Sequence, residues 1–325
     1  MSDERLSGLE LAARLRERDL AAAPAVLNLL ESVDEEDRAQ ASELQAALSP
    51  RALGGEAEGH IIGFTGSPGV GKSTLLGALV AVWRPARTVA VLAVDPSSKR
   101  SGGALLGDRL RIAGSGVGGE GRFIRSMAAR ERSGGLAPAT RAAAQVLAVA
   151  FDLVVVETVG VGQSETAIGN VADTVAVVVQ PGAGDALQFL KAGLLEIPDL
   201  IVVAKADLGA PARATVHEAR TALRAAGLAG DGALAVSALE PTSGIEELAA
   251  ALDSHRAALD LDARRAENRR LGALEDFVSE FGERGLRAVG GRHEAELLLA
   301  SESADRDSPA LTQVLARRAA GSESG

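Results

Sequence analysis

The sequence predicts an α/β fold in which helices flank a mostly parallel central sheet. Short apolar runs of strand length recur along the chain, and segments with helical spacing separate them. Residues 88–94 form a nearly continuous apolar run, which is typical of a parallel strand covered on both faces. The remaining strands are predicted in residues 60–65, 122–127, 152–157, 174–180 and 233–237, and residues 200–207 are predicted to be a strand followed by a loop.

Helical segments are predicted at both ends of the chain. Leucines recur at helical spacing over residues 1–50, and residues 263–299 form one or two long helices with charged faces. Residues 49–59 contain a proline and three glycines, so they are predicted to be a linker. We therefore divide the chain into an N-terminal helical region (1–55), a nucleotide-binding domain (56–258) and a C-terminal helical arm (259–325), which is long enough to wrap a second subunit.

Composition excludes several classes of protein. The net charge of −10 argues against a nucleic-acid partner, since phosphate backbones require a basic face. The sequence has no cysteine, which suits a reducing compartment, and no apolar stretch long enough to span a bilayer. We expect a cytoplasmic protein without a membrane partner.

The most specific motif lies between the first predicted strand and a helix at residues 75–82. Residues 66–74 fit the pattern G-x-x-x-x-G-K-[S/T], which identifies a phosphate-binding loop and a P-loop NTPase. In such a loop the backbone N–H groups turn toward the phosphates, Lys72 contacts the β and γ oxygens, and the Ser73 hydroxyl binds Mg²⁺. The predicted nucleotide-binding residues here are Gly66, Ser67, Pro68, Gly69, Val70, Gly71, Lys72, Ser73 and Thr74.

Acidic residues follow two of the predicted strands. Asp95 and Glu157 are expected beside the phosphate loop, where carboxylates could bind Mg²⁺ or its waters, although an Asp before proline also opens turns. Asp108 is a further acidic candidate. Glu157 and Gly160 occupy the Asp and Gly positions of a D-x-x-G turn. The Gly160 N–H is therefore expected to contact the γ-phosphate and so to order the loop at 161–166.

Guanine is the predicted base. Residues 204–207 resemble the base-reading motif N-K-x-D, with Ala204 in the asparagine position. Asp207 can accept hydrogen bonds from guanine N1–H and the exocyclic amine, while the Lys205 stem covers the base. The segment Ser237, Ala238 and Leu239 resembles the loop whose backbone closes over guanine.

These motifs together resemble the methylmalonyl-CoA mutase-associated GTPases, which act as chaperones of adenosylcobalamin-dependent acyl-CoA mutases and were formerly described as LAO/AO transport system kinases. The resemblance covers nearly the whole chain and is carried by residues 63–74, 94–98, 106–109, 123–127, 156–165 and 180–185. It implies a GTPase of the SIMIBI class that binds GTP or GDP and Mg²⁺, with Ser73, Asp95, Asp108 and Glu157 around the metal. It also implies a homodimer built on the C-terminal arm, and a third switch segment at 185–191 in which Lys191 assists hydrolysis once the mutase is bound.

One departure from the family pattern concerns the base. Ala204 replaces the usual asparagine, which removes a contact to the base and to the phosphate loop. We expect this to weaken nucleotide binding by about 1–2 kcal/mol, the worth of one good hydrogen bond.

The leading hypothesis is a Mg²⁺-dependent GTPase that gates cobalamin loading or protection for an acyl-CoA mutase. Hydrolysis then depends on positioning by Lys72, Glu157 and Lys191, with Gln163 a candidate for placing the attacking water. The alternatives are a P-loop kinase of a transport system, a nucleotide-gated binding module without useful turnover, and a metal-insertion GTPase. The last requires Cys or His clusters, whereas this chain has no cysteine and four histidines far apart in sequence.

Overall fold

The structure is a computed structural model that describes residues 6–96, 121–129, 136–158, 167–182, 198–225 and 232–322. The chain forms two compact units. A helical unit comprises Met1–Gly59, Ala137–Phe151 and Asp260–Gly325, and a sheet unit comprises His60–Leu136 and Asp152–Leu259. The helical unit therefore takes a segment from the middle of the chain, a grouping that the order of segments in the sequence does not indicate.

The sheet unit contains a seven-stranded sheet in which every described pairing is parallel. The strand order is β3-β2-β4-β1-β5-β6-β7. The strands are β1 His60–Thr65, β2 Val89–Pro96, β3 Arg122–Ala129, β4 Leu153–Thr158, β5 Thr174–Val179, β6 Leu200–Val203 and β7 Ala233–Ala235. The predicted α/β class with a parallel sheet is confirmed, and β1 is the central strand, between β4 and β5.

Three helices of the sheet unit are described. They are α5 Lys72–Trp83, α7 Ala210–Ala225 and α8 Ile245–Ala258, with short 3₁₀ turns at Ile168–Asn170 and Ala206–Leu208. Leu76 and Leu79 of α5 pack with Leu248 of α8 in one apolar cluster that also includes side chains of the central strands. Full burial of each such leucine stabilises the fold by about 1.5–3 kcal/mol, so the start of α5 is held firmly against the sheet.

The helical unit is built from the two ends of the chain and one internal helix. Its helices are α1 Gly8–Arg16, α2 Ala23–Glu31, α3 Glu35–Ala47, α4 Pro50–Leu53, α6 Pro138–Leu147, α9 Leu261–Val289, α10 Arg292–Ser301 and α11 Ser308–Ser322, with a 3₁₀ turn at Leu20–Ala22. Phe277 of α9 and Leu315 of α11 are fully buried in its C-terminal core. The bend in α9 is at Gly282, whose φ of 62° interrupts the helical backbone. None of the described helices is long and apolar enough to cross a membrane.

The predicted linker at 49–59 is more ordered than expected. Ser49 caps the one-turn helix α4 by accepting from the Ala52 N–H, and Pro50 occupies its first turn, where its missing N–H costs nothing. Gly54 then ends the helix in the left-handed conformation. The glycines and proline that suggested a linker are here the start and stop signals of a short helix.

Two buried arginines hold the chain just before β1. Arg265 donates to the carbonyl oxygens of Ala57 (2.6 Å) and Gly59 (2.5 Å), and Arg269 makes a bidentate pair with Glu56 at 3.0 and 2.6 Å. Both arginine side chains are about 6% exposed and Glu56 is 9% exposed. Loss of one partner from a buried ion pair leaves a buried charge uncompensated and strongly destabilises the fold. This cluster therefore fixes the path of residues 56–59.

Candidate functional site

The phosphate loop joins the end of β1 to the start of α5 and depends on three glycines. Gly66, Gly69 and Gly71 have φ values of 144°, 76° and 106°, a region that other residues rarely adopt. A Cβ atom on residue 66 would also lie 2.1 Å from the Val178 carbonyl oxygen, whereas residues 69 and 71 face open space. The loop thus needs glycine at 66 for space and at 69 and 71 for backbone conformation.

Lys72 is the first residue of α5, and its side chain turns back over the loop. It is 7% exposed, and its Nζ donates to the carbonyl oxygens of Gly66 at 2.6 Å and Ser67 at 3.1 Å. Gly71 is the N-cap residue of α5 and has no side chain that could cap the helix. A buried ammonium and a helix N-terminus together create a site for an anion.

Ser73 and Glu157 meet beside this loop. The Ser73 Oγ donates to Glu157 Oε1 at 2.9 Å. Glu157 is 7% exposed and stands next to Phe64 in the register of β4 and β1, one strand from the phosphate loop. A hydroxyl and a carboxylate are hard oxygen donors of the kind that Mg²⁺ prefers. The residues present therefore fit the predicted Mg²⁺, which Ser73 and Glu157 would hold directly or through its waters.

The other predicted metal and switch residues are only partly covered by the structure. The backbone of Asp95 lies at the carboxyl end of β2, level with Ala128 of β3, and its side chain is outside the described set. Asp108, Gly160, Gln163 and Lys191 lie outside the described residues.

The predicted base-reading residues come together at the carboxyl ends of β6 and β7. Ser237 Oγ donates to Asp207 Oδ1 at 2.9 Å, and the Leu239 N–H donates to Ser237 Oγ at 3.3 Å. The Ala206 N–H donates to the Val236 carbonyl oxygen at 2.9 Å, which ties the two loops through the backbone as well. Ala238 lies between these contacts in the chain, so the predicted guanine residues of the two segments form one local cluster.

Lys205 has a strained backbone that turns the chain out of β6. Its φ of 56° and ψ of 46° place it in the left-handed region, at a cost of about 1–2 kcal/mol for a residue with a Cβ. Its Nζ donates to Gln180 Oε1 at 3.1 Å. No sequence motif marks Gln180 as a site residue, although it directly follows β5 and therefore lies at the same sheet edge as the phosphate and base loops.

The comparisons with known proteins identify the family of this chain. A model of the family described as methylmalonyl Co-A mutase-associated GTPase MeaB matches residues 23–284. The chain belongs to this family. It is a GTPase.

Three similar proteins illustrate the range of names in these comparisons. A probable GTPase of Mycobacterium bovis is 39% identical over 277 residues, which cover 82% of this GTPase and 80% of the relative. A Caenorhabditis elegans protein named as a mitochondrial homologue of methylmalonic aciduria type A is 39% identical over 171 residues, 50% of this chain and 42% of that protein. The crystal structure of a LAO/AO transport system kinase is similar with a TM-score of 0.63 and 27% identity, and the match covers 98% of both chains.

The sheet unit of this GTPase also pairs two histidines that are far apart in sequence. His60 Nε2 and His255 Nδ1 each lie 2.8 Å from Thr174 Oγ1, and His255 Nε2 lies 3.3 Å from Asp199 Oδ1. His60 and Thr174 begin β1 and β5, so this network is at the opposite edge of the sheet from the phosphate loop. Among the described residues, no group of three or more His, Asp or Glu side chains is arranged to hold a metal ion.

Proposed function

We propose that this GTPase hydrolyses GTP in a Mg²⁺-dependent reaction and uses the reaction to control an adenosylcobalamin-dependent acyl-CoA mutase. The observation that carries the hydrolytic part is the Ser73–Glu157 hydrogen bond beside the buried Lys72 ammonium. It brings together the cation for the β and γ phosphates and the oxygen donors for the metal.

In the proposed reaction, Gly66 to Thr74 hold the phosphates and Lys72 offsets their charge. Ser73 and Glu157 hold Mg²⁺ or its waters, with Asp95 and Asp108 assigned to the same role from the sequence. When bound, Mg²⁺ would supply positive charge that offsets the negative charge developing on the phosphates. Such hydrolysis requires positioning and charge neutralisation rather than a strong base, so we assign Gln163 to water placement and Lys191 to charge stabilisation.

Guanine recognition is supported by the Asp207–Ser237 contact. The carboxylate of Asp207 has one oxygen held by Ser237 and is otherwise exposed, so it can accept from guanine N1–H and the exocyclic amine. Adenine offers no such donor pair at this edge. Lys205, Ser237, Ala238 and Leu239 complete the proposed base site, and the Gly160 N–H completes the γ-phosphate site.

The proposed partner is a mutase of the methylmalonyl-CoA type. The family description names an association with methylmalonyl-CoA mutase, and the C. elegans relative is named for methylmalonic aciduria. We further propose a homodimer built on the C-terminal helices, where Phe281 and Leu297 are 41% and 52% exposed. The absence of cysteine suits work in a reducing cytoplasm.

A second candidate function is phosphoryl transfer by a transport-system kinase, because the similar crystal structure bears that description. GTP labelled in the γ-phosphoryl group separates the two. The chaperone proposal expects the label as inorganic phosphate, with Mg²⁺ required and ATP used poorly. Label on an amino acid, a small molecule or a protein would contradict it and support the kinase.

A further inference from the structure

We propose that Gln180 supplies the carboxamide that the base-reading segment lacks at Ala204, and that Gln180 is a guanine-specificity residue of this GTPase. The inference rests on the guanine site proposed above. In this proposal Gln180 contacts the O6 and N7 edge of guanine, whereas Asp207 contacts the N1 and 2-amino edge.

Gln180 lies beside Ala204 in the sheet. Val179 of β5 is level with Val203 of β6, and the Ala204 N–H donates to the Val179 carbonyl oxygen at 2.9 Å. Gln180 is therefore level with Ala204 on the neighbouring strand. The Cα atom that carries the Gln180 carboxamide is therefore next to the Cα atom from which an asparagine side chain at 204 would extend.

The second argument is the position of β5 between the two nucleotide loops. β5 pairs with β1 on one side and with β6 on the other. The Cα of Gly66 packs so closely on β5 that a Cβ there would lie 2.1 Å from the Val178 carbonyl oxygen. Gln180, two residues further along, follows the strand that separates the phosphate loop from the base-reading segment.

The third argument is the orientation of the amide. The Lys205 ammonium has donors only, so the atom of Gln180 that lies 3.1 Å from Nζ must be the oxygen. This contact settles the amide orientation on chemical grounds. The Nε2 group with its two hydrogens is then on the other branch of the carboxamide, and no acceptor for it is found in the described part of the chain.

The chemistry of this arrangement selects among purines. Guanine has acceptors at both O6 and N7, whereas adenine has the donor N6 amine in place of O6. Two N–H donors from Gln180 therefore match guanine and conflict with the adenine amine. The buried methyl group of Ala204, which is 5% exposed, can make neither contact.

Equilibrium binding of GDP, IDP and ADP, without turnover, tests the proposal. Gln180→Ala is expected to weaken binding of GDP and of IDP about tenfold each, because both bases keep O6 and N7. Binding of ADP is expected not to weaken, because the Gln180 donors conflict with the adenine amine. Gln180→Glu keeps an acceptor for Lys205 but removes the donors, so it is expected to weaken GDP at least as much. Ala204→Asn in the Gln180→Ala background is expected to restore most of the lost GDP affinity.

The matched control is Gln45→Ala in the helical unit, where the Gln45 amide donates only to Ala41 O within α3. It should bind all three nucleotides as the unsubstituted protein does, and thermal unfolding of each variant verifies its folding. The inference is overturned if Gln180→Glu binds GDP normally, or if Gln180→Ala weakens GDP and ADP equally. If the unsubstituted protein itself binds ADP as well as GDP, the proposed guanine site fails, and that result is distinct from a failure of Gln180 alone.

Discussion

Ser73 Oγ lies 2.9 Å from Glu157 Oε1, and this hydrogen bond joins the first turn of α5 to the carboxyl end of β4. The two residues are far apart in sequence, and the central position of β1 beside β4 brings them together. In the proposed mechanism both oxygens serve the same Mg²⁺. We therefore expect substitution of either residue to weaken Mg²⁺-dependent nucleotide binding.

Ser73→Ala and Glu157→Gln should each raise the Mg²⁺ concentration needed for half-maximal GTP binding by about 10- to 100-fold, because each removes a polar contact to a charged ligand. Calorimetric titration of GTP at a series of Mg²⁺ concentrations measures this. Ser301→Ala, on the exposed end of α10, is the control. An unchanged Mg²⁺ requirement in both site variants would exclude these residues from the metal site.

The phosphate loop predicts different costs for two glycine substitutions. Gly66→Ala combines a positive φ with a Cβ 2.1 Å from a backbone oxygen, so it should lower the free energy of unfolding by about 3 kcal/mol or more. Gly69→Ala has the positive φ without the clash and should lower it by only about 1–2 kcal/mol. Urea unfolding of both variants makes the comparison. Equal losses would contradict the close packing of Gly66 on β5.

Asp207→Asn should change the preferred base from guanine to xanthine. The carboxylate accepts from N1–H and the 2-amino group of guanine, whereas an amide can donate to the O2 atom of xanthine. We expect GDP affinity to fall about 100-fold, corresponding to the loss of two hydrogen bonds to a charged acceptor, and XDP affinity to rise. Competition between the two nucleotides measures the change, with the exposed Asp262→Asn as control. Retention of guanine preference would remove Asp207 from the base site.

The buried arginine cluster of the helical unit predicts a large loss of stability when its acidic partner is replaced. Glu56→Gln leaves Arg269 and Arg265 without their buried counter-charge and should lower the free energy of unfolding by about 3–5 kcal/mol. The exposed i,i+4 pair of Arg292 and Glu296 is the matched comparison, and Glu296→Gln should cost about 0.3–0.5 kcal/mol. Denaturant unfolding followed by circular dichroism reports both. A small effect at Glu56 would mean that water reaches the arginines.

The sequence predicted those parts of the molecule that local patterns specify. Apolar runs predicted the strands, and the glycine-rich motif predicted the phosphate loop. The position of Glu157 at the end of a predicted strand indicated a candidate metal ligand without knowledge of its contact with Ser73. These features were predictable because strand periodicity and the conformational demands of glycine act over a few residues.

Contacts between distant segments could not be predicted in this way. Gln180 is 25 positions from Lys205, and Thr174 connects His60 to His255. These pairings depend on strand order and register, which one sequence does not state. The helix α11 lies within the predicted C-terminal helical arm (259–325), but its bounds and the burial of its Leu315 in the C-terminal core were not predicted.

The central claim is that GTP hydrolysis serves an acyl-CoA mutase, and the most direct test is the GTPase rate with and without that partner. Purified protein with GTP and Mg²⁺ is assayed for phosphate release alone, with a methylmalonyl-CoA-type mutase, and with an unrelated protein of similar size. The proposal predicts slow hydrolysis alone and a faster rate, saturating with concentration, only with the mutase. An identical rate in all three mixtures would contradict it.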